Sequence, residues 1–229
     1  MGLLCRRAFQ DEAAMSDRIT LRLLGSFSLT GPEGARELTG RKLRALLAYL
    51  ALSANEQQPR ERLMALLWGA HFEVQARQNL RQALSRLRRS VGDALVVTED
   101  ERVGLDAELI ECDVTRFEAL CADGSRPALI EADALYRGEL LDGLTIPEES
   151  WEAWLAAERA RLSALVLNAQ AKLSEALIED GDCEGALAVA QRSVGLDPYR
   201  EDAHRNAMRA LAGLGRKAEA LRGFDAFQE

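Results

Sequence analysis

Arginine and glutamine side chains recur on one side of the stretch from about residue 74 to residue 91. At about 100° per residue, its polar positions fall on one arc of a helix and its apolar positions on the opposite arc. The polar members are Arg77, Gln78, Arg81, Gln82, Ser85, Arg88 and Arg89. Arginine donates bidentate hydrogen bonds to guanine edges or to phosphates, and glutamine pairs with adenine edges. The chemistry that this pattern offers is recognition of double-stranded DNA through the major groove.

The same face would also suit a helix whose charged side only meets solvent. A solvated helix surface usually mixes the two signs of charge, whereas residues 74–91 contain five arginines and no carboxylate. We therefore favour contact with DNA. Arg41 and Lys42 begin an earlier predicted helix, whose free backbone amides could bind phosphate. A plainly solvated helix start explains these two residues equally well.

The distribution of charge separates two parts of the chain. The 229 residues carry a formal net charge of −8, which by itself argues against nucleic acid. Residues 41–90 nevertheless hold ten basic and three acidic side chains, and residues 113–229 hold thirteen basic and twenty-two acidic ones. A basic segment beside an acidic one indicates a phosphate-binding face and a second face for a different partner.

Motifs for metals, cofactors and catalysis are missing from the sequence. Four widely spaced cysteines and two distant histidines do not form a zinc pattern, and no phosphate loop, dinucleotide fingerprint or serine nucleophile motif occurs. We therefore expect no catalytic residue, metal or cofactor. No apolar run has the roughly 20 residues that a membrane span needs. Residues 1–17 lack a signal-peptide core, and we expect them to be a disordered leader or an upstream extension before a true start at Met15. The expected location is the cytoplasm.

The first half of the chain shows the element order of a winged helix-turn-helix. Alternating residues predict a strand pair at 19–24 and 27–29, closed by a turn at Gly31-Pro32. Apolar periodicity predicts helices over 39–52, 59–68 and 74–91, and a hairpin joins residues 95–97 to 103–105. We expect residues 18–112 to form a DNA-binding domain with residues 74–91 as its recognition helix.

The second half, residues 113–229, is predicted to be all-α. Thr145 and Glu148 have the spacing of a capping box. A glycine, alanine and leucine pattern starting at Gly181 recurs 34 residues later from Gly215, which is the tetratricopeptide period. The predicted fold is therefore mainly α with a small β component: a winged helix followed by a tetratricopeptide-like domain.

Several longer segments resemble the SARP class of bacterial regulators, which join an OmpR-like winged helix to a bacterial transcriptional activator domain. The segments of the first half are 19–25 (ITLRLLG), 41–50 (RKLRALLAYL), 60–68 (RERLMALLW) and 79–88 (NLRQALSRLR). Those of the second half are 136–141 (YRGELL), Trp154 with Glu158-Arg159, and 197–205 (DPYREDAHR). The resemblance covers about residues 19–227.

The resemblance implies a transcription activator that binds direct repeats in promoter DNA. It also implies that the helical domain meets RNA polymerase or a second protomer in a homo-oligomer. Arg102 follows three carboxylates at the predicted wing tip, Glu99, Asp100 and Glu101, and whether this wing contacts DNA stays open. The alternative function is a protein-interaction adaptor that uses the tetratricopeptide-like domain without binding DNA.

The end of the sequence carries one further expectation. The last predicted helix places Leu221, Phe224 and Phe227 on roughly one side, and no partner helix follows it. We therefore expect the activator domain to be truncated at its C-terminus, with a sticky apolar surface on its last helix.

Overall fold

The computed structural model describes residues 18–53 and 56–228, with side chains up to Arg222. The chain divides into two compact units: Met1–Arg116 with Arg137–Glu158, and Phe117–Tyr136 with Arg159–Glu229. The strands are β1 (Ile19–Arg22), β2 (Ser28–Gly31), β3 (Gly34–Ala35), β4 (Gln58–Pro59), β5 (Val96–Glu99), β6 (Arg102–Leu105) and β7 (Ile110–Cys112). The helices are α1 (Arg41–Leu52), α2 (Arg60–Trp68), α3 (Glu73–Val91), α4 (Asp113–Asp123), α5 (Arg126–Leu135), α6 (Glu149–Glu179), α7 (Cys183–Leu196), α8 (Glu201–Gly213) and α9 (Lys217–Gln228).

The first unit is a winged helix, as predicted. Its N-terminal sheet has the order β3-β2-β1-β7, and its second sheet, β4-β6-β5, contains the wing hairpin. Helices α1, α2 and α3 supply leucines to the buried core, among them Leu46, Leu63 and Leu80. The three-helix arrangement and the wing confirm the interpretation of the hydrophobic periodicity.

Three local predictions in this unit are wrong. The Gly31-Pro32 turn does not close the pair of β1 and β2, because it leads from β2 into the two-residue strand β3. Pro59 lies in strand β4 and precedes α2, where the sequence suggested the first helical turn. The capping box at Thr145 is also absent, since α6 begins only at Glu149.

A segment far along the chain completes the first unit. We call Arg137–Glu158 the return segment, because the chain leaves this unit after Arg116 and comes back at Arg137. Its backbone pairs with the residues after β1 through Leu141 N–H to Leu23 O (2.8 Å) and Gly25 N–H to Glu139 O (3.0 Å). Gly25 has φ 100°, and the Cα of Gly25 lies close to Gly138, so both positions favour glycine.

The return segment also contributes to the apolar core of the first unit. Trp151 is fully buried, Leu141 and Ile146 are buried as well, and the Trp154 ring packs edge-on against Tyr49 at a centroid distance of 5.1 Å. The sequence-based boundary placed these residues in the second domain. The boundary between residues 112 and 113 therefore stays a prediction for the sequence domains. The compact units divide the chain differently, because the first of them also includes Arg137–Glu158.

The second unit is all-α, as predicted. Its core consists mainly of leucines and alanines, which allow paired helices to approach closely, and Leu173, Ala186 and Ala210 are examples. Gly181 (φ 83°) and Gly215 (φ 77°) occupy equivalent turns 34 residues apart, before α7 and α9. Leu221 on α9 is 66% exposed, and the side chains of Phe224 and Phe227 lie outside the described residues.

Candidate nucleic-acid interface

Helix α3 presents a polar face that is separated from its buried stripe. Its apolar residues at three- and four-residue spacing are buried: Ala76, Leu80, Leu84, Leu87 and Val91. The opposite face is exposed and carries Arg77, Gln78, Arg81, Gln82, Ser85 and Arg89. The structure therefore brings six of the predicted site residues together on one solvent-facing helix surface. We call this surface the α3 face.

The first turn of α3 adds a carboxylate beside the predicted range. The helix begins at Glu73, one residue before the predicted start, and the Glu73 carboxylate accepts a hydrogen bond from Arg77 Nη2 at 2.7 Å. Both side chains are largely exposed, at 74% and 63%. Such an exposed i,i+4 pair contributes only about 0.3–0.5 kcal/mol. Arg77 can therefore exchange Glu73 for a phosphate or a base edge.

Arg88 is placed differently from the other arginines of α3. It is half-buried, and its guanidinium donates hydrogen bonds to Val96 O (3.5 Å) and to Thr98 Oγ1 on strand β5. These contacts tie the end of α3 to the wing hairpin. Because guanidinium has five donors, Arg88 keeps capacity for a phosphate, but its position suits a contact with the DNA backbone better than one with a base edge.

The first two residues of α1 are an exposed arginine and a lysine that is paired with a buried carboxylate. Arg41 is exposed, and its Nη1 lies 3.5 Å from Thr145 O. Lys42 donates from Nζ to Glu148 Oε1 at 2.7 Å and lies 5.6 Å from the centroid of the Trp68 ring. Arg41 can thus bind a phosphate, whereas the charge of Lys42 is already compensated within the first unit.

Glu148 is the buried acceptor at this contact. Its side chain is 5% exposed, and its carboxylate also accepts the Ala70 N–H (3.2 Å) and lies 3.9 Å from His71 Nδ1. Burial alone would raise the pKa of Glu148, but the Lys42 ammonium, the Ala70 amide and His71 outweigh burial and lower it. Glu148 is therefore a carboxylate at neutral pH that fixes the start of α1 to the turn between α2 and α3.

A cavity of about 480 Å³ lies beside the α3 face. Its walls come from the start of α1, from Trp68, from the flank of α3 at Asn79, Gln82 and Arg86, and from the return segment at 145–147. Arg86 donates from Nη2 to Thr39 O at 3.2 Å. The cavity is thus a concave, arginine-edged surface next to the helix that could enter a groove.

The wing tip is acidic in the structure as in the sequence. Asp100 has φ 50° in the two-residue turn between β5 and β6, and Glu99, Asp100 and Glu101 are exposed. Arg102 donates from Nη1 to Gln57 O at 2.9 Å, and Glu101 lies 3.9 Å from Arg60 Nε. The hydrogen bond of Arg102 holds the wing against the residue before β4. Three exposed carboxylates oppose the approach of phosphates to this tip.

Two family models match the chain, and together they span nearly all residues after the first strands. The model described as "Transcriptional regulatory protein, C terminal" matches residues 35–103. The model described as "Bacterial transcriptional activator domain" matches residues 105–229, more than half of the chain. The chain belongs to the bacterial transcriptional activator domain family. The resemblance to SARP-type regulators drawn from the sequence is thereby confirmed.

Individual relatives agree with this family. The transcriptional regulatory protein MoaR1 of Mycobacterium bovis and of Mycobacterium tuberculosis is 24% identical, with 82% of this chain aligned. The chain spans 65% of the length of these relatives. A solved structure of Mycobacterium tuberculosis EmbR, in complex with a low affinity phosphopeptide, is 22% identical with a TM-score of 0.75. It covers 92% of this chain and 59% of the EmbR chain, and it shows that the fold is shared.

Within residues 18–53 and 56–228, no cluster of three or more histidine, cysteine or acidic side chains is arranged to hold a metal ion. In the same residues, no helix is both long and apolar enough to cross a membrane.

Sequence reasoning missed two groups of residues near the α3 face. Phe72 and Val74, at the start of α3, are 90% and 82% exposed. Apolar residues at a helix start ordinarily indicate core packing, so no local signal separated them from it. Glu148 was missed because its partner Lys42 lies 106 residues away in the sequence. The direct contact of each predicted site residue with DNA stays a prediction.

Proposed function

We propose that the chain is a sequence-specific DNA-binding transcription activator of the SARP type, acting in the cytoplasm of a bacterium. The observation that carries the proposal is the α3 face: six exposed arginine, glutamine and serine side chains on the third helix of a winged helix. A helix of this kind fits the major groove, and these residue types match the edges of guanine and adenine. The role requires no catalytic step, metal or cofactor.

The roles of the site residues follow from their surroundings. Arg81, Gln78 and Gln82 are exposed near the middle of α3 and would contact base edges. Arg41, Arg88 and Arg89 lie at helix ends and would bind phosphates, which set the position of the protein but not its specificity. Lys42 would act indirectly, through its ion pair with Glu148, and the acidic wing leaves Arg102 with at most a peripheral contact.

The second unit would supply the contact that activates transcription. It is acidic and all-α, and family membership together with the likeness to MoaR1 supports a partner within the transcription machinery. We propose that this unit meets RNA polymerase, or a second protomer on an adjacent direct repeat. Deletion of residues 159–229 should then abolish activation in a purified transcription assay while DNA binding by the remaining chain persists.

The test of DNA binding uses the full chain and a random duplex pool. Repeated selection should enrich one sequence, and the affinity for it should fall by about 1–3 kcal/mol in Arg81→Ala. Arg209→Ala, which removes an exposed arginine of α8 in the second unit, is the matched control and should bind normally. If no sequence is enriched and binding does not depend on salt, the chain is instead an adaptor that binds other proteins.

A further inference from the structure

Two large apolar side chains stand in solvent at the start of the α3 face. Phe72 is 90% exposed and Val74 is 82% exposed. Among the described residues of the first unit, they are the most exposed large hydrophobic side chains, because the others lie in the second unit. Two such neighbours form a small apolar tip at the end of a strongly basic helix.

The local fold gives no reason for these residue types. Phe72 is the N-cap residue of α3, and its side chain forms no capping hydrogen bond. At this position serine, threonine, aspartate or asparagine would accept a hydrogen bond from a backbone amide of the first helical turn. Val74 is β-branched in an exposed first turn, where a straight or smaller side chain favours the helix more. Neither side chain is buried, so burial does not offset the lower helix stability that each of them causes. Their exposure is therefore explained best by a binding partner that covers both side chains.

The geometry of the helix indicates which partner this is. Counted at about 100° per residue, Val74 lies on the same stripe as Gln78, Arg81 and Ser85, within an arc of roughly 60°. Phe72 precedes this stripe at the end of the helix that leads into a groove. Arg77 and Arg81 follow this apolar tip along α3, and the Glu73 carboxylate is already paired with Arg77. An excess of positive charge next to the tip favours a polyanion over an apolar protein surface.

The apolar group that distinguishes one base pair from the others in the major groove is the thymine 5-methyl group. We infer that Phe72 and Val74 contact thymine methyl groups at the end of the site that the start of α3 enters. This inference rests on the proposed DNA-binding function and adds to it a specificity for thymine. Arginine and glutamine further along α3 then select guanine and adenine, so one helix distinguishes polar from apolar base edges.

The test replaces single thymines of the selected site by deoxyuridine, which removes only the methyl group. The wild-type chain should lose about fourfold in affinity for each contacted methyl, the equivalent of one buried carbon. Phe72→Ala and Val74→Ala should each bind the thymine site more weakly. Each variant should also lose the response to deoxyuridine at the thymine that its own side chain contacts. Tyr199→Ala removes an 86% exposed aromatic side chain of the second unit and should respond to deoxyuridine as the wild type does. Equal melting temperatures of the variants would show that all of them fold.

The outcomes separate this inference from the function on which it rests. If the full chain selects no sequence, the proposed function fails and the inference fails with it. If a site is selected but deoxyuridine has no effect at any position, DNA binding stands and the thymine contact is overturned. If Phe72→Ala lowers transcription while keeping the full response to deoxyuridine, the tip binds a protein, which also overturns the inference.

Discussion

The ion pair between Lys42 and Glu148 allows a strong test of how the return segment holds the first unit together. Replacement of Lys42 by methionine keeps an unbranched side chain of similar length but removes its charge. The Glu148 carboxylate, 5% exposed, then keeps the Ala70 N–H at 3.2 Å and the His71 ring at 3.9 Å. Removal of one partner from a buried pair costs about 3–5 kcal/mol. Because Lys42 is 30% exposed and water can take its place, we expect about 2–3 kcal/mol at neutral pH.

The pH dependence of this loss has a definite sign. In the native chain the pKa of Glu148 is lowered, so its contribution to stability is present above the unfolded pKa and disappears as the pH falls through the folded pKa. In Lys42→Met, burial remains while the opposing ammonium is gone, and the pKa of Glu148 should rise above its ordinary range. Protonation of Glu148 then removes the unpaired buried charge from the variant. The difference in unfolding free energy between the wild type and Lys42→Met should therefore shrink as the pH falls from neutral to about 4.

The unfolding of the first unit can be followed by tryptophan fluorescence. All three tryptophans, Trp68, Trp151 and Trp154, belong to that unit, so a urea titration reports on it alone. Glu111→Gln is the control, since it breaks an exposed pair with Arg116 whose side chains are 44% and 52% exposed, and it should cost less than about 1 kcal/mol. Equal losses for the two variants, or a deficit of Lys42→Met that does not change with pH, would refute the assignment of Glu148 as the buried anchor.

Three further predictions concern the first unit. The logarithm of DNA affinity should fall with the logarithm of salt concentration at a slope of about −4 to −5, measured by anisotropy, and a slope near zero would exclude phosphate contacts. The Cys112 thiol, whose pKa is raised to about 11 by burial and by Asp113, should react with iodoacetamide at pH 8 at least about a hundredfold more slowly in the native than in the urea-unfolded chain. A fragment of residues 18–112 should unfold at lower urea than the unit within the full chain, because it lacks the return segment. Equal midpoints would show that the segment is dispensable.

Local periodicity was sufficient to predict the helices that carry the proposed site. The buried stripe of α3 at Leu80, Leu84 and Leu87 follows from the three- and four-residue spacing alone. The wing hairpin followed in the same way, from two apolar runs and a short polar turn. In both cases the residues that define the element are neighbours in the sequence, so their pattern is sufficient evidence.

The elements that depend on distant partners could not be predicted in this way. Strand β7 is only three residues long and forms because it pairs in parallel with β1, about 90 residues earlier. Glu148 lies before a helix, where a capping role is the local expectation, and its contact with Lys42 appears only in three dimensions. Among the predicted site residues, Lys42 and Arg88 look like free cations in the sequence but are held by Glu148 and strand β5.

The return segment also changes what the charge distribution means. It carries one basic and six acidic residues, so the basic stretch 41–90 folds with part of the acidic half of the chain. Net charge per domain is therefore a poor guide to DNA binding here. DNA binding depends instead on which carboxylates already have a cationic partner. Glu148 is buried and paired with Lys42, so it adds little to the electrostatic potential at the protein surface. On α3 the one carboxylate is Glu73, and it is already paired with Arg77. The exposed arginines of the α3 face can therefore attract phosphates although the chain as a whole is acidic.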